Sequence, residues 1–504
     1  MKKTRHKFEI PEEVKDISRV LSVAGFENFL VGGCVRDLVR RAVYGELIEP
    51  RDWDIATNAE PEVIIKLFPK TFYENEYGTV GVVTTAFSGA PPEAVDESLK
   101  IVEITPYRLE SGYSDFRRPD KVEWGKTIEN DLARRDFTMN ALAYHIETGE
   151  LLDPFGGEVD IEKKLIRTVG NAEERFGEDA LRMFRALRLA SELNFAIEHE
   201  TQMAITKYAG LLEHISRERV RDEFTKIIMS NTPAHALDLA ARLGLLNFIS
   251  PEFEKGIGVE QNQAHAYTVW EHLLRTLNHA AKKNFPLHVR LAAFAHDVAK
   301  PHTRKWLKGQ WTFYNHEVLG ARLARAIFTD LRFPKEMTEK AVKLVRWHMF
   351  FSDTEKITLS AVRRIVRNVG VDLIWDLVDL RICDRIGTGR PKETPFRLRK
   401  YKSMIEEVLR DPISVRQLMI KGNDIMSITR TGPGPHIGFI LEILLSEVLE
   451  NPKLNTHEYL EKRIKELHVL KPKELVDLGK TARAKNESEE EKEIEKIREE
   501  YKVQ

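Results

Sequence analysis

Phe29–Thr57 reads FLVGGCVRDLVRRAVYGELIEPRDWDIAT, and this stretch decides the fold of the N-terminal part of the chain. Phe29, Leu30 and Val31 form a short apolar run, the pattern of a buried strand. The run ends on Gly32-Gly33, where the backbone can turn tightly and approach a ligand because no Cβ intervenes. The residues that follow, Val35 to Arg41, predict the first turns of a helix, whose free N–H groups would face the turn and suit a phosphate. Asp52 and Asp54 flank Trp53. In an extended strand these carboxylates share a face. Two like charges held that close resist joint ionisation unless a cation lies between them. The pattern points to a Mg²⁺ site for phosphoryl or nucleotidyl transfer.

A glycine pair alone is commonly a plain turn, and an Asp-x-Asp alone a solvated loop. Their combination in one strand–turn–helix–strand unit carries the argument. The order Gly-Gly-x-x-Arg-Asp followed by Asp-x-Asp resembles nucleotidyltransferases of the DNA polymerase β type. At 504 residues the chain exceeds one core and implies several domains. With 42% hydrophobic and 31% charged residues it reads as globular. Lys plus Arg numbers 78 against 79 for Asp plus Glu, so any basic surface must be local. The two cysteines, Cys34 and Cys383, give no disulfide framework. No apolar run is long enough to span a membrane, and MKKTRHKFEIPEE lacks a signal-peptide core, so a cytoplasmic location is expected.

Helical spacing predicts a helix over 12–24, closed by Gly25, and a short one from Pro61 to Phe68. Thr79–Thr84 and Lys100–Thr105 read as strands. Alternation puts Glu103 on the face opposite Val102 and Ile104, either as a third carboxylate beside Asp52 and Asp54 or as a solvated strand residue. From about Leu151 helices dominate, with spans expected at 178–194, 199–208, 216–229, 233–243, 267–284, 287–297, 316–330 and 335–350. The last stretch, KNESEEEKEIEKIREEYKVQ, is a solvated helix or frayed tail.

Arg134, Arg135, Asp136, Thr138 and Asn140 crowd one segment. They could pair locally at a helix end, or the arginines could neutralise phosphate oxygens while Asp136 accepts from a sugar hydroxyl. In GEDALRMFRALRLA, a continuous helix would place Asp179, Arg182, Arg185 and Arg188 along one polar stripe. Glu178 and Asp179 also suit a helix N-terminus, pairing with Arg182. An Asp–Arg pair matches the amino donor and ring-nitrogen acceptor shared by cytosine and adenine. Guanine and uracil reverse that order, and a hydrogen-bonding site rejects such mismatches by roughly 10⁴-fold in favourable cases.

GGCVRD with DWDIAT, RRDFTMNALA, DPFGG at Asp153–Gly157, EDALRMFRALRLA and RERVRDEFTKI at 217–227 resemble, in order, the motifs of class II tRNA nucleotidyltransferases. This family of CCA-adding enzymes also includes bacterial poly(A) polymerases. The resemblance runs from Phe29 to Ile228. It implies Mg²⁺ binding and catalysis by Asp52 and Asp54; Glu103 stays a catalytic candidate on its strand position alone. It also implies nucleotide contacts from Gly32, Gly33, Arg36, Arg135, Asp136, Asp179, Arg182, Arg185 and Arg188. DPFGG would be a springy link between head and neck, and RLESGYSDFRRPDK, near Arg108–Lys121, the loop that switches from C to A. The implied partners are tRNA, CTP and ATP, with no membrane. A poly(A) polymerase and enzymes adding only CC or only A share this head.

Further along, His272, His296-Asp297, His316, His348 and Asp384 each fall in a separate helical segment. A lone histidine on a helix is commonly a packed or surface residue, but His-Asp after an apolar run, followed by Lys300-Pro301, delivers nitrogen and oxygen ligands together. Such a donor set suits Mg²⁺, Mn²⁺, Fe or Ni with open positions. The ordered set resembles the HD phosphohydrolase superfamily. The resemblance implies His272, His296, Asp297 and Asp384 as the basic ligands of a second divalent metal, with His316 and His348 at positions that add another. A phosphohydrolase acting on RNA 3′ ends or nucleotides is the alternative of a different class.

The expected fold is α+β: a small mixed-sheet, polymerase-β-like nucleotidyltransferase head followed by a long all-α body that includes an HD domain. The expected divisions are a catalytic head at 1–150, a helical neck with the nucleotide-selecting helix at 151–255, an HD domain at 256–390, a helical body at 391–470 and a charged tail at 471–504.

Overall fold

The computed structural model describes residues 2–50, 52–73, 78–88, 95–111, 121–261, 266–307, 309–350, 357–411 and 414–482. It divides into two compact units, 1–249 and 250–504. The expected switching loop falls largely in 112–120 and the end of the charged tail in 483–504, both outside the described residues.

The first unit is built on a mixed sheet. In chain order its strands are β1 Lys2–Arg5, β2 Asn28–Val31, β3 Trp53–Thr57, β4 Thr71–Tyr73, β5 Val80–Val83 and β6 Ile101–Pro106. A hairpin, β7 Arg108–Ser111 with β8 Lys121–Trp124, stands apart, and β9 Ala143–Tyr144 and β10 Glu150–Asp153 rejoin the sheet. The order is β1-β10-β9-β2-β3-β6-β5-β4. Within this sheet only β3 and β6 pair in parallel, which places Asp54 opposite Glu103. Neighbours in register share a face, so the two carboxylates lie on the same side of the sheet.

Leu30, Val31, Ile55, Val102 and Ile104 are fully buried, as near-continuous apolar runs in central strands should be. The helix Gly33–Tyr44 buries Val35, Leu38 and Val39 and packs on β2 and β3. Each such side chain contributes about 1.5–3 kcal/mol of burial, which fixes the turn at its N-terminus. The helix Glu12–Val23 likewise packs on β2, and Gly25 follows it at φ +88°.

Helices follow the sheet, with one departure from the expected spans. The segment 178–194 is two helices, Ala172–Glu178 and Leu181–Leu193, and Asp179 between them is extended. Its carboxylate accepts from the Leu181 N–H at 3.0 Å, so the new helix starts there and Asp179 does not join the arginine stripe as a helical residue. In DPFGG, Asp153 accepts from the Gly157 and Glu158 N–H groups at 2.8 and 3.1 Å and caps the helix Gly157–Glu162. A Cβ on Gly157 would sit 2.2 Å from the Thr138 carbonyl oxygen, so this turn is packed backbone against backbone.

Among its described residues the second unit is helical apart from a short hairpin, Lys305–Leu307 against Gln310–Thr312. The helix Leu287–Ala295 is apolar nearly all round and lies against Val269–Lys282, Lys335–Trp347 and Ile374–Gly387. Gly387 lets two of these close up: a Cβ there would lie 2.1 Å from Thr276 Oγ1 and 3.0 Å from His272 Nδ1. Farther on, Arg363 bonds Asp411 at 2.8 Å, Arg364 bonds Glu450, and Arg367 bonds Glu442 at 2.7 Å. No helix among the described residues is long and apolar enough to cross a membrane.

Candidate active site and metal centre

Gly32 takes φ +75°, and a Cβ built on it would lie 3.0 Å from Arg135 Nη1 and 3.3 Å from Asp54 Oδ2. Three residues far apart in sequence therefore meet where only glycine fits. The helix starts directly at Gly33, so its unsatisfied N–H groups stand at this point. Asp52 is exposed in the bend before β3, and Asp54 is half-buried two residues on. Burial pushes the Asp54 carboxyl up to about 6; Arg135 opposes the shift and the Asp52 charge adds to it. A carboxyl raised beside another carboxylate marks an acidic set short of a counter-cation, and an oxygen donor set of this kind fits a hard divalent ion.

Cations ring this point, each aimed by an acid. Asp131, fully buried, binds Arg134 at 2.6 Å and Arg135 at 3.0 Å. Burial alone would raise its carboxyl, yet the two guanidinium groups hold it below the ordinary value. Arg36 is forked onto Asp37 by two bonds of 3.0 Å and gives a third, also 3.0 Å, to Asn140. Asn140 donates to Asp136 at 3.3 Å, and Arg185 grips the other oxygen of Asp136 at 2.8 Å. Against the cost of burial, Arg185 and Arg182 pull the Asp136 carboxyl down to about 2, so it is a firm anion. The chain Arg36–Asn140–Asp136–Arg185 ties the glycine-turn helix to Leu181–Leu193.

Asp179 and Arg182 are each engaged elsewhere. Asp179 accepts from Arg219 at 3.1 Å; Arg182 binds Glu178 at 2.6 Å and the carbonyls of Arg175 and Arg134 at 3.0 Å each. The expected local pairing of Arg182 with the helix-start acids is present, through Glu178. Arg188 reaches Glu223 at 2.8 Å and Glu192 at 3.2 Å. Asp37, Arg219 and Glu223 are orienting groups that the sequence reading did not single out. Arg219 and Glu223 lie in RERVRDEF, where a nearly buried glutamate inside an arginine-rich segment was the available signal.

In the second unit, His272, His296, Asp297, His316, His348 and Asp384 converge, all buried. His272 Nε2 lies 3.0 Å from His296 Nε2, and His316 Nε2 lies 3.3 Å from His348 Nε2. Asp297 spans both pairs. Its Oδ2 is 3.3 Å from each of the first two, and its Oδ1 is 3.2 and 3.6 Å from the second two. Asp384 Oδ1 is 3.3 Å from His272 and is steadied by Arg381 at 2.7 Å. Lys300, one turn beyond Asp297, holds Oδ2 at 2.6 Å.

The histidine nitrogens test the fit to metal. Nδ1 of His296, His316 and His348 each faces the carbonyl three residues earlier, at 3.0, 2.7 and 2.7 Å. A carbonyl accepts only, so Nδ1 carries the proton and Nε2 presents its lone pair inward. Lone pairs facing one another repel unless a cation lies between them. Ligand atoms of His272, His296 and Asp384, and likewise of His296, Asp297 and His348, all lie within 4.8 Å of one another. The set fits a divalent metal. Burial alone would lower the His272 pKa, but Asp297 and Asp384 lift it to about 9 in the metal-free protein.

A sheet-borne carboxylate set beside a glycine turn, a helical neck and a histidine–aspartate centre together define a polymerase-type nucleotidyltransferase joined to an HD domain. Residues 28–167 match the poly A polymerase head domain family, 194–257 the probable RNA- and SrmB-binding site of polymerase A, and 265–387 the HD domain family. The CCA-adding enzyme of Bacillus cytotoxicus is 32% identical over 460 residues, covering 90% of this chain and 98% of that protein. That of Leuconostoc mesenteroides is 33% identical over 470 residues, covering 91% and 98%. The crystal structure of the Bacillus stearothermophilus CCA-adding enzyme in complex with CTP superposes with a TM-score of 0.66 at 27% identity, covering 90% of this chain and 96% of that one. The chain belongs to the CCA-adding enzyme family.

Proposed function

We propose that the protein adds C, C and A to tRNA 3′ ends from CTP and ATP, without a nucleic-acid template, and releases pyrophosphate. The observation that carries this reading is the meeting of Gly32, Asp54 and Arg135 at the start of the helix Gly33–Tyr44, with Asp52 beside them and Glu103 in register. Asp52 and Asp54 would hold Mg²⁺, and Glu103, in register with Asp54, completes the carboxylate set. When bound, the metal lowers the pKa of the RNA hydroxyl and neutralises the triphosphate. Gly32 and Gly33 let the triphosphate approach the backbone, where helix N–H groups receive it. Arg36, Arg135 and Arg185, pre-aimed by Asp37, Asp131 and Asp136, offset its charge. Asp179 and Arg182 read the edge shared by C and A, oriented by Arg219 and Glu178. Arg188 contributes by fixing the neck helices. The helical body holds tRNA through its backbone, and the setting is cytoplasmic. The division into head 1–150, neck 151–255, HD domain 256–390, helical body 391–470 and tail 471–504 is part of this proposal.

Supplying a 3′-truncated tRNA with all four nucleotides and sequencing the product tests it. The expected result is a terminal CCA and nothing longer. An adenylate tract would make the protein a poly(A) polymerase, and a product stopping at CC, or taking only A, would assign a partial activity.

The raised Asp54 pKa sets a pH dependence for Mg²⁺. Below about pH 6 Asp54 carries a proton in the metal-free protein, and the metal must displace it. Apparent affinity at this site therefore falls about tenfold per pH unit below 6 and is flat above it. Calorimetric Mg²⁺ titrations at pH 5 and pH 7 check this, and equal affinities would contradict it.

Asp297 bridging two histidine pairs supports a second activity. We infer a phosphohydrolase that removes a cyclic phosphate or phosphate monoester from RNA 3′ ends, using Mn²⁺, Ni²⁺, Fe or Mg²⁺ held by His272, His296, Asp297 and Asp384, with His316 and His348 beside them. When bound, the metal supplies an activated water. Such ends block nucleotide addition, so the two activities would act in sequence.

A further inference from the structure

Between Asp297 and His316 the chain makes the hairpin of Lys305–Leu307 and Gln310–Thr312. Trp306 stands directly opposite Trp311 in register, so the two rings share a face. They meet edge to face, with centroids 4.9 Å apart and planes at 75°. The Arg304 guanidinium lies 3.6 Å from the Trp311 ring centroid, a stacked cation whose Nη2 is also 3.8 Å from the exposed Glu260 carboxylate. Trp306 is 58% exposed and Lys305 is exposed beside it. From Arg304 to Trp311 the sequence RKWLKGQW holds three cations and no acid.

This face leads inward. Two residues beyond Trp311, Phe313 is buried, with the Lys300 ammonium 5.5 Å from its ring centroid. Lys300 holds Asp297, and the Phe313 carbonyl accepts from His316 Nδ1. The hairpin is thus continuous with the metal centre at both of its ends. A large ring kept in water on a two-stranded hairpin adds little to a core. Aromatic faces interleaved with cations match the alternation of base and phosphate in an unpaired strand. An acidic or apolar protein segment would satisfy only half of this surface.

We propose that the Trp306–Trp311 hairpin is a stacking platform for unpaired nucleotides of an RNA 3′ end and guides that end toward the HD metal centre. The choice of RNA and the direction of travel rest on the proposed second activity; the binding itself does not. The full-length protein is irradiated with a short single-stranded RNA carrying 5-iodouridine and a 3′-hydroxyl, with no nucleoside triphosphate, so neither site has a reaction to perform. Cross-links are mapped by mass spectrometry. The concentration dependence of the hairpin cross-link reads affinity there, apart from RNA held by the head and neck.

The expected result is a cross-link at Trp306 or Trp311. Read at Trp311, Trp306→Ala weakens that site about tenfold, the scale of one lost base stack, and Trp306→Phe restores most of the affinity. A competing abasic strand of equal length binds wild type and Trp306→Ala with the same inhibition constant, so it displaces RNA more readily from the variant. Cross-links confined to other segments, as a hairpin kept for a protein partner would give, overturn the proposal. So does unchanged affinity in Trp306→Ala. Hydrolysis of 2′,3′-cyclic AMP is measured separately: a hairpin cross-link without hydrolysis keeps the platform and removes the hydrolase.

Discussion

Asp52→Ala is expected to cut extension of truncated tRNA by about 10³-fold or more while tRNA binding stays nearly unchanged. The magnitude follows from losing a metal that stabilises developing charge by several kcal/mol, each 1.36 kcal/mol being about tenfold in rate. The separation from binding follows from position. Asp52 is exposed in the bend ahead of β3, so its truncation removes little packing. Asp54 is a poorer choice for the first test, because it is half-buried against Arg135 and Gly32 and its loss disturbs their contact. Primer extension with labelled tRNA lacking CCA reads the rate, and filter binding of the same tRNA reads affinity. If both fall together, Asp52 belongs to the RNA-binding surface and the carboxylate assignment is wrong.

The same site shows what a sequence can carry. The apolar run Phe29–Val31 and the glycine pair are local patterns that became β2 and the turn with its helix start; of the Asp-x-Asp pair, Asp54 lies in β3 and Asp52 stands in the bend before it. Short polar strands left no such trace. Lys2–Arg5, reading KKTR, is a strand only because β10 pairs with it, and Glu150–Asp153 follows the last strand signal that alternation could give. The break at Asp179 was hidden for another reason. The apolar period of Leu181, Phe184 and Leu187 runs on smoothly, and the interruption comes from a cap bond and a distant arginine, Arg219. Pairings such as Arg36 with Asn140, Asp136 with Arg185 and Arg188 with Glu223 are made by packing between elements. Their residue types were legible as charges crowded among apolar neighbours; their partners were not.

Asp297→Asn is expected to empty the HD centre of its divalent metal. The reasoning starts from the local device shared by three of the histidines. With Nδ1 bonded to the carbonyl three residues back, each is fixed as an Nε2 ligand whether or not metal is present. Asp297 touches both histidine pairs, with Oδ2 on His272 and His296 and Oδ1 on His316 and His348, whereas Asp384 reaches only His272 and His296. An asparagine keeps the shape and removes the anion, leaving clustered nitrogen lone pairs with no bridging charge, while Lys300 brings its positive charge to within 2.6 Å of the vacated oxygen. Metal content measured by plasma mass spectrometry should fall from the wild-type value to near zero, and hydrolysis of 2′,3′-cyclic AMP should disappear. The double variant His316→Ala, His348→Ala should keep metal at the centre, because His272, His296, Asp297 and Asp384 remain. CCA addition is expected to continue in both, since the carboxylates and arginines proposed for it lie in the first unit and neither variant touches the helical body at 391–470. Far-UV circular dichroism separates metal loss from unfolding. Retention of wild-type metal content by a folded Asp297→Asn protein would show that the aspartate is not the ligand that holds the centre together.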